Sequence, residues 1–172
     1  MINKNIQNAI NDQINAETYS SYLYLSMSAY FNSINLPGFA NWMKCQAQEE
    51  LIHAMKFFDF VNERGGDVTL KAIDGPPTSW DSPAHAFEEA YKHEQKVTSL
   101  INALVDLAIA ERDHASSSFL QWFVNEQVEE EASANDVVQR LKLAGDKGGG
   151  LFMIDRELAT RTFVYPTTTQ TA

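Results

Sequence analysis

The chain has 172 residues, 44% of them hydrophobic, with a single cysteine and a formal net charge of −10 at pH 7. That length suits one domain with a substantial core, and the acidity argues against a phosphate-backbone partner, which calls for a basic patch. The lone Cys45 excludes an internal disulfide framework and a thiolate cluster. The acidic surface suits the collection of cations, but it is equally what a merely soluble protein carries. The N-terminus shows no charged-then-apolar signal, and no apolar run is long enough to span a bilayer. The expectation is a cytoplasmic chain with no membrane or nucleic-acid partner.

Strand signals are poor, whereas helical spacing is strong. A first helix is predicted over about residues 3–31. A second follows Pro37-Gly38 and runs over about 38–64, where Gly65-Gly66 ends it. Ser82-Pro83 is an N-cap followed by Pro in the first turn, so it opens a third helix over about 83–112. A fourth covers about 114–144, and a short fifth about 151–160, after Gly148-Gly149-Gly150. The tail, 161–172, carries a Thr-rich end and is expected to be disordered there.

The connections decide the topology. Helices one and two, and helices three and four, are joined by a few residues and should be antiparallel neighbours. A helix of this length spans roughly 40 Å. The linker between helices two and three can extend to roughly 55 Å, enough to cross the bundle and make those two helices parallel. The fold class is therefore all-α: one domain over residues 1–172, built as a four-helix bundle with one long crossover and a short C-terminal fifth helix.

Each long helix carries an apolar stripe interrupted once, near its middle. Ile10, Glu17, Tyr24 and Phe31 share a stripe on the first helix. Phe39, Trp42, Gln46, Glu49 or Glu50, His53, Phe57 and Phe60 follow the second. Phe87, Glu94, Ile101 and Ala108 follow the third. On the fourth, Phe123, Glu130 and Val137 run beside Leu120, Gln127, Ala134 and Leu141. A buried, uncompensated carboxylate costs several kcal/mol. No Lys or Arg lies on these stripes at that level, so several acids meeting there require a multivalent cation. Glu50-Leu51-Ile52-His53 puts a carboxylate and an imidazole on one helix face. Oxygen donors with one imidazole suit Fe(II), Mn(II) or Zn(II). A carboxylate on each of two helices plus Glu-x-x-His on the others is the di-iron carboxylate pattern. The fourth helix departs from it, offering Gln127 and Glu130.

Three readings stay open at this point. Tyr24 is either a core tyrosine with a hydrogen-bonded hydroxyl or a redox partner of the centre. Glu126, Glu129 and Glu130 share a face that Glu49 could meet, which makes either a further cation site or a solvated surface. His85, His93 and His114 lack partners at ligand spacing and are expected on the surface.

Glu17-Thr18-Tyr19-Ser20-Ser21-Tyr22-Leu23-Tyr24, Gln48-Glu49-Glu50-Leu51-Ile52-His53-Ala54 and Trp122-Phe123-Val124-Asn125-Glu126-Gln127-Val128-Glu129-Glu130-Glu131 resemble the non-haem bacterial ferritins. Leu151 to Leu158 resembles that family's fifth helix, and the similarity covers about residues 5–160. The resemblance implies a ferritin-like bundle that oxidises Fe(II) with dioxygen or peroxide. It also implies storage of the ferric mineral inside a homo-oligomeric shell of 24 subunits. It implies a first iron on Glu17, Glu50 and His53, and a second on Glu50, Glu94 and Glu130, with Glu50 bridging. It gives Gln127 the orienting of dioxygen or water, and Glu49, Glu126, Glu129 and Glu130 a third iron. Bacterioferritins have a second Glu-x-x-His and a haem-binding Met after the helix-two Glu. Here Gln127-x-x-Glu130 and Leu51 stand there, so no haem is expected. The positions of the two three-fold-channel carboxylates of animal ferritins align with Ser117 and Leu120. The alternative reading is a di-iron oxidase or peroxidase that keeps its metals.

Overall fold

The computed structural model describes residues 1–145 and 148–165. Five helices follow in chain order: α1 (Lys4–Ser33), α2 (Pro37–Glu63), α3 (Pro83–Ala110), α4 (His114–Ala144) and α5 (Gly148–Leu158). All the long elements are where the periodicity puts them. Only the ends differ. α3 stops at Ala110 because Arg112, expected to be helical, takes φ +54°, which turns the chain into α4. α5 begins at Gly148, inside the glycine run expected to precede it. The Thr-rich end and the disorder expected there lie outside the described residues.

The helix ends follow local chemistry. The Ser82 hydroxyl accepts from the His85 N–H, and Asp113 accepts from the Ser116 N–H, each capping a helix start. Gly65, at φ +67°, takes the left-handed turn that ends α2. The start of α2 has no side-chain cap of its own. Asp155 of α5 supplies one, accepting from the Gly38 and Phe39 N–H groups at 2.8 and 3.1 Å. This docking needs glycine at 38, since a Cβ there would lie 1.6 Å from the Asp155 carbonyl oxygen.

α1 pairs with α2 and α3 with α4, and α1 also touches α3. The crossover runs beside α1 and is held by its polar face. Gln7 accepts from the Asp67 N–H, Asn11 accepts from the Thr69 N–H, and Asn15 donates to the Ala72 carbonyl. Farther along, Ser26 donates to the Pro77 carbonyl. These bonds satisfy an extended backbone that has no ladder of its own.

The apolar core falls into two clusters. One, around Phe31, Phe39, Phe87 and Val137, closes the end that α5 caps. The other, around Ile10, Phe57, Ile101 and Phe123, fills the opposite end. A belt of buried polar side chains separates them: Glu17, Gln46, Glu50, His53, Glu94, Gln127 and Glu130. Leu120 belongs to the second cluster and is 1% exposed, so it faces its own core.

Candidate metal centre

The belt is built by stripe geometry. Glu17 sits between Ile10 and Tyr24, Glu94 between Phe87 and Ile101, and Glu130 between Phe123 and Val137, each seven residues from its apolar neighbours. A seven-residue step is close to two helical turns, so an inward stripe carries its acid inward too. Glu50 and His53 are three apart on α2 and face the same volume. Phe123 and Trp122 pack their rings around the His53 imidazole, at centroid distances of 6.0 and 5.4 Å.

Ligand atoms of Glu17, Glu50 and His53 all lie within 4.8 Å of one another. His53 Nδ1 is 3.4 Å from Glu50 Oε2. Glu17 Oε1 accepts from Gln13 Nε2 at 2.8 Å, but Glu17 Oε2 and Glu50 Oε2 accept no hydrogen bond. The Glu94 carboxylate is held from two sides, by the Tyr24 hydroxyl and by Gln127 Nε2 at 3.2 Å. Gln46 donates to Glu130. A second compact group unites His53, Glu126 and Glu130, with His53 Nε2 3.8 Å from Glu126. One imidazole therefore faces the inner acids through one nitrogen and the outer acids through the other.

The electrostatics record the crowding. Burial, with the charges of Glu94 and Glu17 added, raises Glu50 well above the usual carboxylate range, against the pull of His53. Burial and then Glu130 push Glu94 up to about 8. Burial raises Glu130, with His53 and Gln46 opposing. Burial alone would lower His53, yet the Glu126 and Glu50 carboxylates outweigh it and raise it well. Tyr24 is raised by burial and then by Glu94 and Glu50, so its hydroxyl stays protonated and donates. Among the described residues, no Lys or Arg pairs with Glu17, Glu50, Glu94 or Glu130. A divalent ion held there would remove the repulsion and satisfy the unpartnered oxygens. The donor set, carboxylate oxygens and one imidazole, fits iron.

Outside the belt, an open cavity of about 490 Å³ lies between α2, α4 and the segment after α5, with Glu49, Glu126 and Glu129 on its walls. Glu49 is part-exposed and is raised by burial, with Arg161 opposing.

Four participants were not foreseen from sequence. Gln13 and Thr98 lie off the stripes and brace Glu17 and Gln127. Only the four-residue step from Gln13 to Glu17 could have flagged the first. His93 is not a surface residue. It is partly buried, bonded to Ser20 at 2.8 Å, and 6.1 Å ring to ring from Tyr24. Burial, and then Lys96, lower it to about 4, so it is neutral. Arg161, in a tail with no earlier reading, reaches Glu49. His85 and His114 stay toward solvent, as expected.

The sequence matches the ferritin family, described as a ferritin-like domain, over residues 7–144. The chain belongs to the ferritin family. It is 50% identical over 161 residues to the bacterial non-heme ferritin of Bacteroides fragilis, covering 94% of this chain and 100% of that relative. A Staphylococcus aureus bacterial non-heme ferritin is 37% identical over 95% of this chain and 98% of its own length. An open-pore ferritin from the hyperthermophilic archaeon Archaeoglobus fulgidus superposes with a TM-score of 0.93 at 56% identity. That match covers 94% of this chain and 100% of the archaeal one. No helix among the described residues is long and apolar enough to cross a membrane.

Proposed function

We propose that this ferritin stores iron and oxidises it on the way in. Two Fe(II) ions bind in the belt as substrate: the first on Glu17, Glu50 and His53, the second on Glu50, Glu94 and Glu130, with Glu50 shared. Each ion gives up one electron and dioxygen, or peroxide, takes two. The ferric product passes to a mineral inside a shell of 24 copies, with no haem. Gln127 orients the oxidant or a water, since its amide already points at Glu94. Tyr24 holds Glu94 in place by donating to it. Glu49, Glu126, Glu129 and Glu130 take a third ion.

The observation that carries this reading is the buried set of acids on four helices with unpartnered oxygens on Glu17 and Glu50. Iron supplies the missing charge, and it exchanges with bulk most readily where one side of the centre has only oxygen donors. Self-assembly is supported by the outer face of α1, α2 and the crossover. Tyr22, Leu25, Leu51, Met55, Leu70 and Ile73 are all exposed on those elements, apolar side chains that a partner copy would cover.

The deciding experiment adds Fe(II) in air at many equivalents per subunit, followed by size exclusion. Storage predicts a large shell that co-elutes with iron far above two per subunit. A small oligomer that saturates near two would instead indicate an oxidase that keeps its metals. Glu50→Ala combined with Glu130→Ala is expected to abolish rapid oxidation, and survival of the fast phase would refute the centre.

A further inference from the structure

The segment after α5 is fastened to α2 by its backbone. Asn41 Nδ2 donates to the carbonyls of Leu158, Ala159 and Arg161, the last at 2.9 Å. The Cys45 thiol also points at the Arg161 carbonyl. The Arg161 side chain is held differently. Its guanidinium pairs with Glu49 Oε2 at 2.5 Å and lies over the Trp42 ring, 4.6 Å from the centroid, with a long bond to the Trp42 carbonyl. Both Arg161 and Glu49 line the cavity that Glu126, Glu129 and Glu130 also face.

We propose that Arg161 is the resident counter-cation of the outer carboxylates, and that a third metal ion gains Glu49 only by displacing it. This rests on the reading of those carboxylates as a third ion site. Because the backbone of 158–161 is anchored independently, the guanidinium can leave Glu49 without releasing the segment. It keeps the Trp42 face, where a cation is still favoured. The incoming ion brings two charges to a wall that presents several carboxylates, whereas the guanidinium satisfies one. Among the described residues, no lysine or arginine is paired with an inner carboxylate. Two consequences follow: the third ion binds more weakly than the inner pair, and it leaves more easily when iron is drawn onward.

The test is a calorimetric titration of the assembled, metal-free protein with Zn(II), which reports binding without oxidation. The unsubstituted protein should show two tighter ions and one weaker ion per subunit. Arg161→Gln should tighten the third by roughly tenfold, the scale set by one partly screened charge a few ångströms away, and leave the first two unchanged. Arg161→Lys, which keeps the charge, should stay within about threefold of the parent. If the third ion binds equally or less tightly in Arg161→Gln, or if all three affinities shift together, Arg161 is a structural residue and the proposal fails while the outer site stands. If only two ions bind in every variant, the outer-site reading fails and the proposal with it.

Discussion

Two sets of carboxylates lie a few ångströms apart in this protein and are balanced in opposite ways. The inner acids, Glu17, Glu50 and Glu94, are each 1% exposed, and among the described residues no lysine or arginine pairs with them; the His53 imidazole, 3.4 Å from Glu50, is the cationic group nearest to hand. The outer acids, Glu49 and Glu126, are 27% and 28% exposed; Arg161 pairs with the first and His53 reaches the second. Water and an arginine can stabilise an outer carboxylate in the absence of metal. Inside, burial raises Glu50 and Glu94 above the usual carboxylate range, which favours a proton on these acids when no metal is bound. On the proposed function, the inner set is therefore where an ion is held more firmly, and the outer set where one is exchanged. His53, with one nitrogen toward each, is where they join.

The largest effect that separates the two should come from Glu50→Ala. Loss of the shared ligand is expected to slow the first fast phase of Fe(II) oxidation by more than about 100-fold, the upper range for residues that merely support a ligand. Glu49→Ala should leave that phase within a few-fold. Stopped-flow absorbance at two Fe(II) per subunit compares them, and equal losses would mean that the inner and outer carboxylates act as one set.

Stability should move the other way. In metal-free protein Glu50→Gln is expected to raise the unfolding free energy by about 1–3 kcal/mol, since it relieves a buried acid with an unsatisfied oxygen. The same change should reduce the gain in Tm on adding Zn(II). The pH dependence has a definite sign. Glu94 is raised to about 8, so between its unfolded value of 4.5 and about 8 the folded metal-free state holds a proton that the unfolded state has lost. Its contribution is complete below 4.5 and is lost as pH rises through 8. Ion binding at pH 7 must expel protons, which calorimetry in buffers of differing ionisation enthalpy will count.

A moderate effect should break only the outer set. Gly38→Ala forces the Asp155 backbone away from α2, which loosens α5 and the segment that carries Arg161. Thermal unfolding should show a loss of about 1–3 kcal/mol, with inner oxidation intact. Collapse of the fast phase would show the two sets to be mechanically coupled.

The smallest effect belongs to His93. Its depressed value, about 4 against an ordinary 6.5, means that the unfolded chain binds a proton the folded chain refuses between those values. That contribution is present above pH 6.5 and is lost as pH falls through 4. His93→Gln should flatten the acid limb of a Tm-versus-pH curve while leaving iron oxidation in place.

Seven-residue spacing alone marked Glu17, Glu94, Glu130 and Gln127 as inward, and the three-residue step did the same for Glu50 and His53. A side chain's direction on a helix is a property of local geometry. The length of the crossover relative to the helices determined the topology in the same way. What came only with the tertiary structure were contacts between elements distant in the chain. Asp155 reaches Gly38 across 117 positions, His93 meets Ser20 across 73, and Arg161 meets Glu49 across 112. Periodicity assigns a residue to a face but cannot say which neighbour covers that face. For that reason the sequence by itself determined which acids turn inward and share one level of the bundle, and only the folded chain decided that Glu49, outside that belt, already has an arginine beside it.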